Sequence, residues 1–357
     1  MLPVHVTAAP TGLFSSEPPA FSEGEAAAMA RVQFGLSGRI RPLAAERDQN
    51  FRLDRDDGQA FVLKIANTAE DPAVIDFQTG ALRHVADRDP GCPVPRLWPA
   101  RDGAPWVRVL GPDGAAHVVW MQTLLPGVAL SDLPVTDVRR RAAGATLARL
   151  GQALAGYHHP VARHHMLWDL RHAGELVPLL PHIAGPAERG LADAALARFA
   201  EAVAPVLDRL PAQVVHNDLN PSNILMAADD PDRISGLIDF GDLVETARVN
   251  DVAVAAAYLV ARDGDPLDGV VPFLAGYAGV TPLGAAEARL LPELIATRMA
   301  MTLTVANWRA ARYPQNRLYL LRNTAVAASG LARLAALDPQ AARDRLVAVA
   351  TTGKDPS

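Results

Sequence analysis

His216-Asn217-Asp218-Leu219-Asn220-Pro221-Ser222-Asn223, followed by Ile238-Asp239-Phe240-Gly241, is the part of this chain whose reading decides the rest. Asp and Asn are ordinary turn formers, so either piece alone would pass for a tight turn. Together they place a carboxylate on a loop, Asp218, an amide oxygen five residues on, Asn223, and a second carboxylate at a strand end, Asp239. Phosphoryl transfer asks for that set: one carboxylate to accept the proton of an attacking hydroxyl, and oxygen ligands for Mg²⁺ beside it. The stretch between the two pieces reads as a hairpin, with strands at Ile224 to Met226 and Ile234 to Phe240, which would bring the loops side by side. His216 is expected to shape the loop through hydrogen bonds rather than to act as a base.

Working outward, the chain before this island is β-rich and the chain around it helical. Strands are predicted at Ile40 to Leu43, Asn50 to Leu53, Ala60 to Ile65, Trp106 to Leu110 and His117 to Gln122. Ser22-Glu23-Gly24-Glu25 reads as a capping box opening a short helix that Gly35 closes. Asp71-Pro72 opens a second helix reaching about Arg88. A long helix is predicted over Thr136 to Tyr157, and Ala-rich helices run to about Leu337, with a polar tail beyond. Residues 1–21 lack periodicity and read as a loose arm, 22–123 as a small antiparallel-sheet lobe carrying one helix, and 124–345 as a larger, mainly helical lobe. Such an α+β, two-lobed layout suggests a ligand held in the cleft between lobes.

Composition narrows the function classes. Of 34 basic residues only Lys64 and Lys354 are lysines, so 32 are arginines. A lysine kept in the apolar strand Phe61-Val62-Leu63-Lys64-Ile65 suggests a need for a compact ammonium, such as one that pairs with phosphate. The alternative is an edge lysine reaching to solvent. Asparagine is scarce, with nine in the chain, yet three fall between 217 and 223. The net charge of −5, without a Lys/Arg block, argues against nucleic acid as a partner. A single cysteine, Cys92, excludes an internal disulfide and any Cys-based zinc site. No signal sequence or membrane-length apolar run is evident, and the expected localisation is cytoplasmic.

These residues resemble the aminoglycoside phosphotransferase superfamily of small-molecule kinases, and within it the hydroxylysine kinase branch. The likeness is carried by Glu46-Arg47-Asp48-Gln49-Asn50-Phe51, by His216 to Asn223, by Gly236 to Asp242 and by Asn250-Asp251-Val252-Ala253. The resemblance implies a bilobal protein-kinase-like fold that moves the γ-phosphoryl of ATP or GTP, with Mg²⁺, to the hydroxyl of a small amino-alcohol acceptor. It makes Asp218 the base, Asn223 and Asp239 the Mg²⁺ ligands, Lys64 the phosphate lysine and Asp251 a buried brace of the catalytic loop, where a helix N-cap is the plainer role. Nucleotide contacts would come from Asp48 and Asn50 in a turn that replaces the glycine-rich loop, and from Leu124 in the hinge segment Leu124 to Gly127. Gln78 stands where a glutamate usually fixes the lysine, with Asp76 nearby, and this is a departure from the kinase pattern. Asp242 and Glu245 are candidates for holding a cationic acceptor. Trp168 and Trp308 read as core or as acceptor-side walls, and Arg298 or Arg309 as a fork for a substrate carboxylate. Aminoglycoside, choline-like and homoserine-like acceptors, or a pseudokinase that binds nucleotide without turnover, are the alternatives.

Overall fold

The computed structural model describes residues 18–45, 48–112 and 114–354. Most of the predicted arm, and Glu46 and Arg47 of the turn named above, lie outside them. The chain divides into two compact units, Met1–Leu125 and Pro126–Ser357.

The first unit is built on a six-stranded antiparallel sheet of order β1-β2-β3-β6-β4, with β5 also paired to β6. Its strands are β1 Arg39–Leu43, β2 Gln49–Asp54, β3 Ala60–Ile65, β4 Leu97–Trp98, β5 Val107–Leu110 and β6 Ala116–Thr123. Two helices accompany the sheet, α1 Glu23–Phe34 and α2 Pro72–Arg88. Both helices start where their capping residues dictate. Ser22 and Glu25 exchange the reciprocal capping-box bonds, and Asp71 accepts from the Ala73 N–H with Pro72 in the first turn. Alternation along β3 splits the unit into two apolar clusters. Phe61, Leu63 and Ile65 join Phe51, Leu53, Val119, Met121 and the α1 residues Met29 and Phe34. The opposite face gathers Val118, Trp120, Ala66 and Ile75 of α2. Lys64 lies on that second face, in register between Asn50 and Trp120. The two-residue strand β4 has no sequence signature, being shorter than any period can reveal.

The second unit is mainly helical. After β7 Val128–Ala129 come α3 Asp137–Leu154, a 3₁₀ run over Leu170–His182, α4 Pro186–Arg198 and the short α5 Ala204–Leu207. The β island follows: β8 Ala212–Val215, β9 Ile224–Met226, β10 Ile234–Leu237 and β11 Val244–Ala247. It forms two small sheets, β10-β9-β7 and β11-β8. The chain ends in α6 Arg248–Ala257, α7 Val270–Ala278, α8 Ala285–Ala288, α9 Leu291–Arg312, α10 Arg317–Leu320, α11 Thr324–Ala335 and α12 Pro339–Thr352. The last helix corrects the expectation of a polar tail after Leu337. Asp338 caps it, and Leu346, Val349 and Ala350 are buried on one face although the helix is polar on average. The strand expected to reach Phe240 stops at Leu237, because Asp239 turns into a left-handed conformation with φ +66°.

Helices α3 and α7 approach closely through glycines. A Cβ on Gly144 would stand 1.9 Å from the Phe273 carbonyl oxygen, and one on Gly276 would stand 2.0 Å from that of Arg141. That contact puts the backbone of one helix against the other, and α3 also packs on β8 and β10 of the β island.

Candidate active site

Two loops meet in the second unit. The first, residues 216–223, leaves β8 and returns through a 3₁₀ turn, Pro221–Asn223, into β9. The second follows β10 and carries Asp239 into another 3₁₀ turn, Phe240–Asp242. They are joined by backbone and side chain alike. The Ile238 N–H donates to the Asn223 carbonyl at 3.0 Å, and His216 Nε2 bonds the Ile238 carbonyl at 3.0 Å. His216 Nδ1 accepts from the Asp218 N–H at 3.3 Å, so the proton sits on Nε2. With its edge against Phe240, centroids 5.0 Å apart, the imidazole is a fully committed scaffold piece.

Asp251 sits inside α6, not at its N-cap, and is buried. Its Oδ1 takes the Asn217 N–H at 2.7 Å and its Oδ2 the His216 N–H at 3.4 Å. Those two donors would otherwise be buried and unpaired while Asn217 is held at φ +64°, a conformation that Asn tolerates better than most residues. Burial pushes the Asp251 pKa above the usual range, against the pull of His216 and of the two N–H bonds.

Asp218 is the centre of the loop, its side chain one-fifth exposed. Oδ2 accepts from Asn220 Nδ2 and Asn223 Nδ2, each at 3.0 Å, and Oδ1 faces Arg298 Nη2 at 3.2 Å. Burial is the main cause that pushes its pKa from 3.8 to about 7. The charges of Asp242 and Asp239 push the same way, while Arg298 and the Asn220 bond oppose them. A carboxylate poised near neutral pH beside two others suits a group that takes up a proton.

The donor set also fits a divalent cation. Asn223 turns its amide nitrogen to Asp218, which leaves the amide oxygen as its ligand atom. Asp239 offers a second carboxylate, held by the Gly241 N–H at 3.4 Å. All-oxygen ligands with concentrated negative charge match Mg²⁺.

Arg298 is the residue that sequence could not single out among 32 arginines. It lies in α9, 3 % exposed, with Nη1 on the Trp168 carbonyl at 3.2 Å and its guanidinium carbon 4.9 Å from the Trp168 ring centre. Its Nε is buried without a hydrogen-bond partner. The sequence carries only a faint signal, a single charge in the otherwise uncharged run Ile295-Ala296-Thr297-Arg298-Met299-Ala300-Met301, and the structure buries that run throughout. Trp168 therefore serves as the platform under this arginine, and Trp308 is buried in the core. Asp242 is half-buried and close enough to bear on the Asp218 charge. Glu245 is ion-paired through Oε1 to Arg163 Nε at 2.9 Å.

In the first unit, Lys64 Nζ lies 5.1 Å from the Trp120 ring centre. Asn50, its register partner on β2, has a buried Oδ1 with no hydrogen-bond partner. Asp48 Oδ1 accepts from the Asn67 N–H at 3.0 Å, tying the start of β2 to the end of β3. Asp76, the alternative to Gln78, accepts from the Trp106 indole at 3.0 Å. The Leu124 N–H donates to the Ala60 carbonyl at 2.9 Å, so that donor is already taken up.

A mixed α+β chain with this loop pair has the architecture of kinase-like small-molecule phosphotransferases. The chain belongs to the phosphotransferase enzyme family, whose profile matches residues 39–291. It is an enzyme that transfers a phosphoryl group to an alcohol group of a small molecule. It is 28% identical to a hydroxylysine kinase of Mus musculus over 331 residues, covering 86% of this chain and 87% of that one. It is 32% identical to a homoserine kinase of Azorhizobium caulinodans over 244 residues, covering 66% and 69%. Among solved structures, a microcompartment-associated aminopropanol kinase superposes with a TM-score of 0.68 at 20% identity, over 87% of this chain and 95% of that one. Among the described residues no helix is long and apolar enough to cross a membrane.

Proposed function

We propose that this enzyme transfers the γ-phosphoryl of ATP or GTP to the side-chain hydroxyl of a small amino-bearing molecule, with hydroxylysine as the leading acceptor. The observation that carries the reading is Asp218, a partly buried carboxylate tethered to Asn223 and facing the Asp239 loop. The likeness to hydroxylysine kinases along most of both chains supports the acceptor, and the homoserine kinases share the theme of a hydroxylated amino acid.

In the proposed step Asp218 accepts the acceptor's hydroxyl proton as the oxygen bonds to the γ-phosphorus. The bond from phosphorus to the bridging oxygen breaks, and the nucleoside diphosphate leaves with that electron pair. Asn223 and Asp239 would hold Mg²⁺, which supplies charge neutralisation on the phosphates. Lys64 pairs with phosphate oxygens, and Gln78 orients its ammonium without neutralising it. Asn50 offers its unpartnered carbonyl oxygen to the nucleotide, and Leu124 its backbone carbonyl to the purine. Asp242 answers the acceptor's amino group, whereas Glu245 would have to give up Arg163 to do so. The work is positioning and charge compensation.

The test is Mg²⁺-dependent release of nucleoside diphosphate with hydroxylysine, homoserine, 1-amino-2-propanol, ethanolamine, choline and kanamycin, each with ATP and with GTP. Asp218→Asn serves as the blank. Turnover with hydroxylysine well above the other acceptors is expected. Equal, background-level rates for both proteins on every acceptor, with nucleotide still bound, would replace this reading by a non-catalytic nucleotide-binding one.

A further inference from the structure

Six of the ten histidines fall between positions 158 and 182, and the reaction described above uses none of them. Two converge on one carboxylate. His165 Nε2 lies 2.8 Å from Glu175 Oε2, and His172 Nδ1 lies 2.9 Å from Glu175 Oε1. The two imidazoles are 4.2 Å apart between centroids and tilted by 41°. One ligand atom from each of the three residues lies within 4.8 Å of the others. We propose that His165, His172 and Glu175 form a binding site for a divalent transition-metal ion, with Zn²⁺ as its simplest occupant.

The donor chemistry selects this class of ion. Two imidazoles and a carboxylate form a three-ligand zinc set with a fourth position open to water. Imidazole nitrogen suits Zn²⁺, Ni²⁺ or Cu²⁺, whereas Mg²⁺ keeps to oxygen, so the site is chemically distinct from Asn223 and Asp239. The two histidines face different oxygens of Glu175, and one ligand atom from each residue lies within 4.8 Å of the others. Ligand bonds of about 2.0–2.1 Å in a tetrahedron place neighbouring ligand atoms about 3.4 Å apart, so side-chain rotations that close up to about 1.4 Å complete the set.

The backbone already holds the arrangement. His172 and Glu175 are three residues apart on the 3₁₀ run Leu170–His182, where positions i and i+3 eclipse one another. Asp169 caps that run by accepting from the Arg171 N–H at 3.0 Å. The side chains are 36%, 20% and 55% exposed for His165, His172 and Glu175, so an ion has a path in from solvent.

The segment between the two histidines reaches the catalytic loop. Met166 Sδ meets Asn217 Nδ2 at 3.5 Å, and the Trp168 carbonyl holds Arg298. A bound ion would clamp both ends of this segment.

The test uses untagged, EDTA-stripped full-length protein at pH 7.5 with millimolar Mg²⁺ present. Zn²⁺ is titrated against a chromophoric chelator, and Co²⁺ is followed by its visible absorption. One equivalent of Zn²⁺ with micromolar or tighter affinity is expected, together with a Co²⁺ spectrum of low coordination number. His172→Ala and Glu175→Gln should each weaken binding about 10- to 100-fold while circular dichroism and melting of the metal-free protein stay unchanged. No binding at 100 μM Zn²⁺, or equal affinity in wild type and both variants, overturns the site. Neither outcome depends on the kinase reading, because no turnover is measured.

Discussion

The single contact with most to say about the candidate site is that between Arg298 and Asp218. A guanidinium 3 % exposed, bonded to the Trp168 carbonyl and to Asp218 Oδ1, leaves little room for substrate at the same atoms. It acts through Asp218 by fixing the carboxylate's direction, so Arg298→Lys should lower kcat about tenfold and Arg298→Met about 10²-fold or more. The acceptor KM should stay within about threefold for amino-acid and amino-alcohol acceptors alike. A KM that rises only for acceptors bearing a carboxylate would show instead that Arg298 reads the substrate. Asp218 also yields a pH prediction for the metal-free protein. Its folded pKa near 7 lies above the usual 3.8, so the folded state keeps a proton that the unfolded chain releases between those values. The group's contribution to stability is therefore fully present below about pH 3.8 and is lost as pH rises through 7. Asp218→Asn, which stays neutral, should melt higher than wild type at pH 8 in EDTA, and the difference should shrink towards pH 5. A variant that melts lower at pH 8 by the same margin as at pH 5 would show that burial of this carboxylate is not costly. Turnover in the same variant should fall roughly 10²- to 10⁴-fold.

At the scale of elements, legibility followed the length of each pattern. The strands Arg39–Leu43 and Ala60–Ile65, the helix Pro72–Arg88 and the hairpin of β9 and β10 were readable because alternation, caps and turn residues coincided in one stretch. Strands β4 and β7, two residues each, were not, since two residues carry no period. Helix α12 was missed because its buried Leu346, Val349 and Ala350 sit beside the equally apolar Val347 and Ala348, so the short run shows no helical stripe. The site divides in the same way. Asp218, Asn223 and Asp239 share a motif, whereas Arg298 reaches Asp218 from eighty residues away, and only tertiary packing reveals the pair. Helix packing supplies a prediction of its own. Gly144→Ala would gain about 1 kcal/mol of helix propensity in α3. The added methyl would meet the Phe273 carbonyl oxygen at 1.9 Å, and a backbone atom cannot swing away as a side chain can. Net destabilisation of about 1–3 kcal/mol is expected from urea denaturation, the usual cost of overpacking. An unchanged or higher midpoint would mean that α3 and α7 slide apart at little cost.

For the molecule as a whole, the family match at residues 39–291 crosses the division between the two compact units at Leu125 and Pro126. The proposed function gives nucleotide roles to Lys64, Gln78, Asn50 and Leu124 and metal-holding roles to Asn223 and Asp239. It predicts that replacing residues of either set weakens nucleotide binding, and that metal removal acts like a mutation of Asp239. Each unit has apolar groups of its own to bury, Phe51, Phe61 and Leu63 in the first and Leu147, Leu150 and Phe273 in the second, so neither substitution below touches what holds a unit together. A ligand that binds only the folded state stabilises it by RT ln(1 + [L]/Kd), about 2.7 kcal/mol at a hundredfold excess over Kd. Nucleoside triphosphate with Mg²⁺ should accordingly raise the melting temperature by a few degrees, and EDTA should abolish most of that rise. Asp239→Asn should melt at or slightly above wild type without ligand, because a charge that bears on Asp218 is gone, and should show little response to nucleotide with Mg²⁺. Lys64→Met should show a reduced response in which EDTA still makes a difference. If Asp239→Asn kept the full Mg²⁺-dependent rise, the metal would have to be held by other oxygens, and the pairing of Asn223 with Asp239 would fall even if turnover survived.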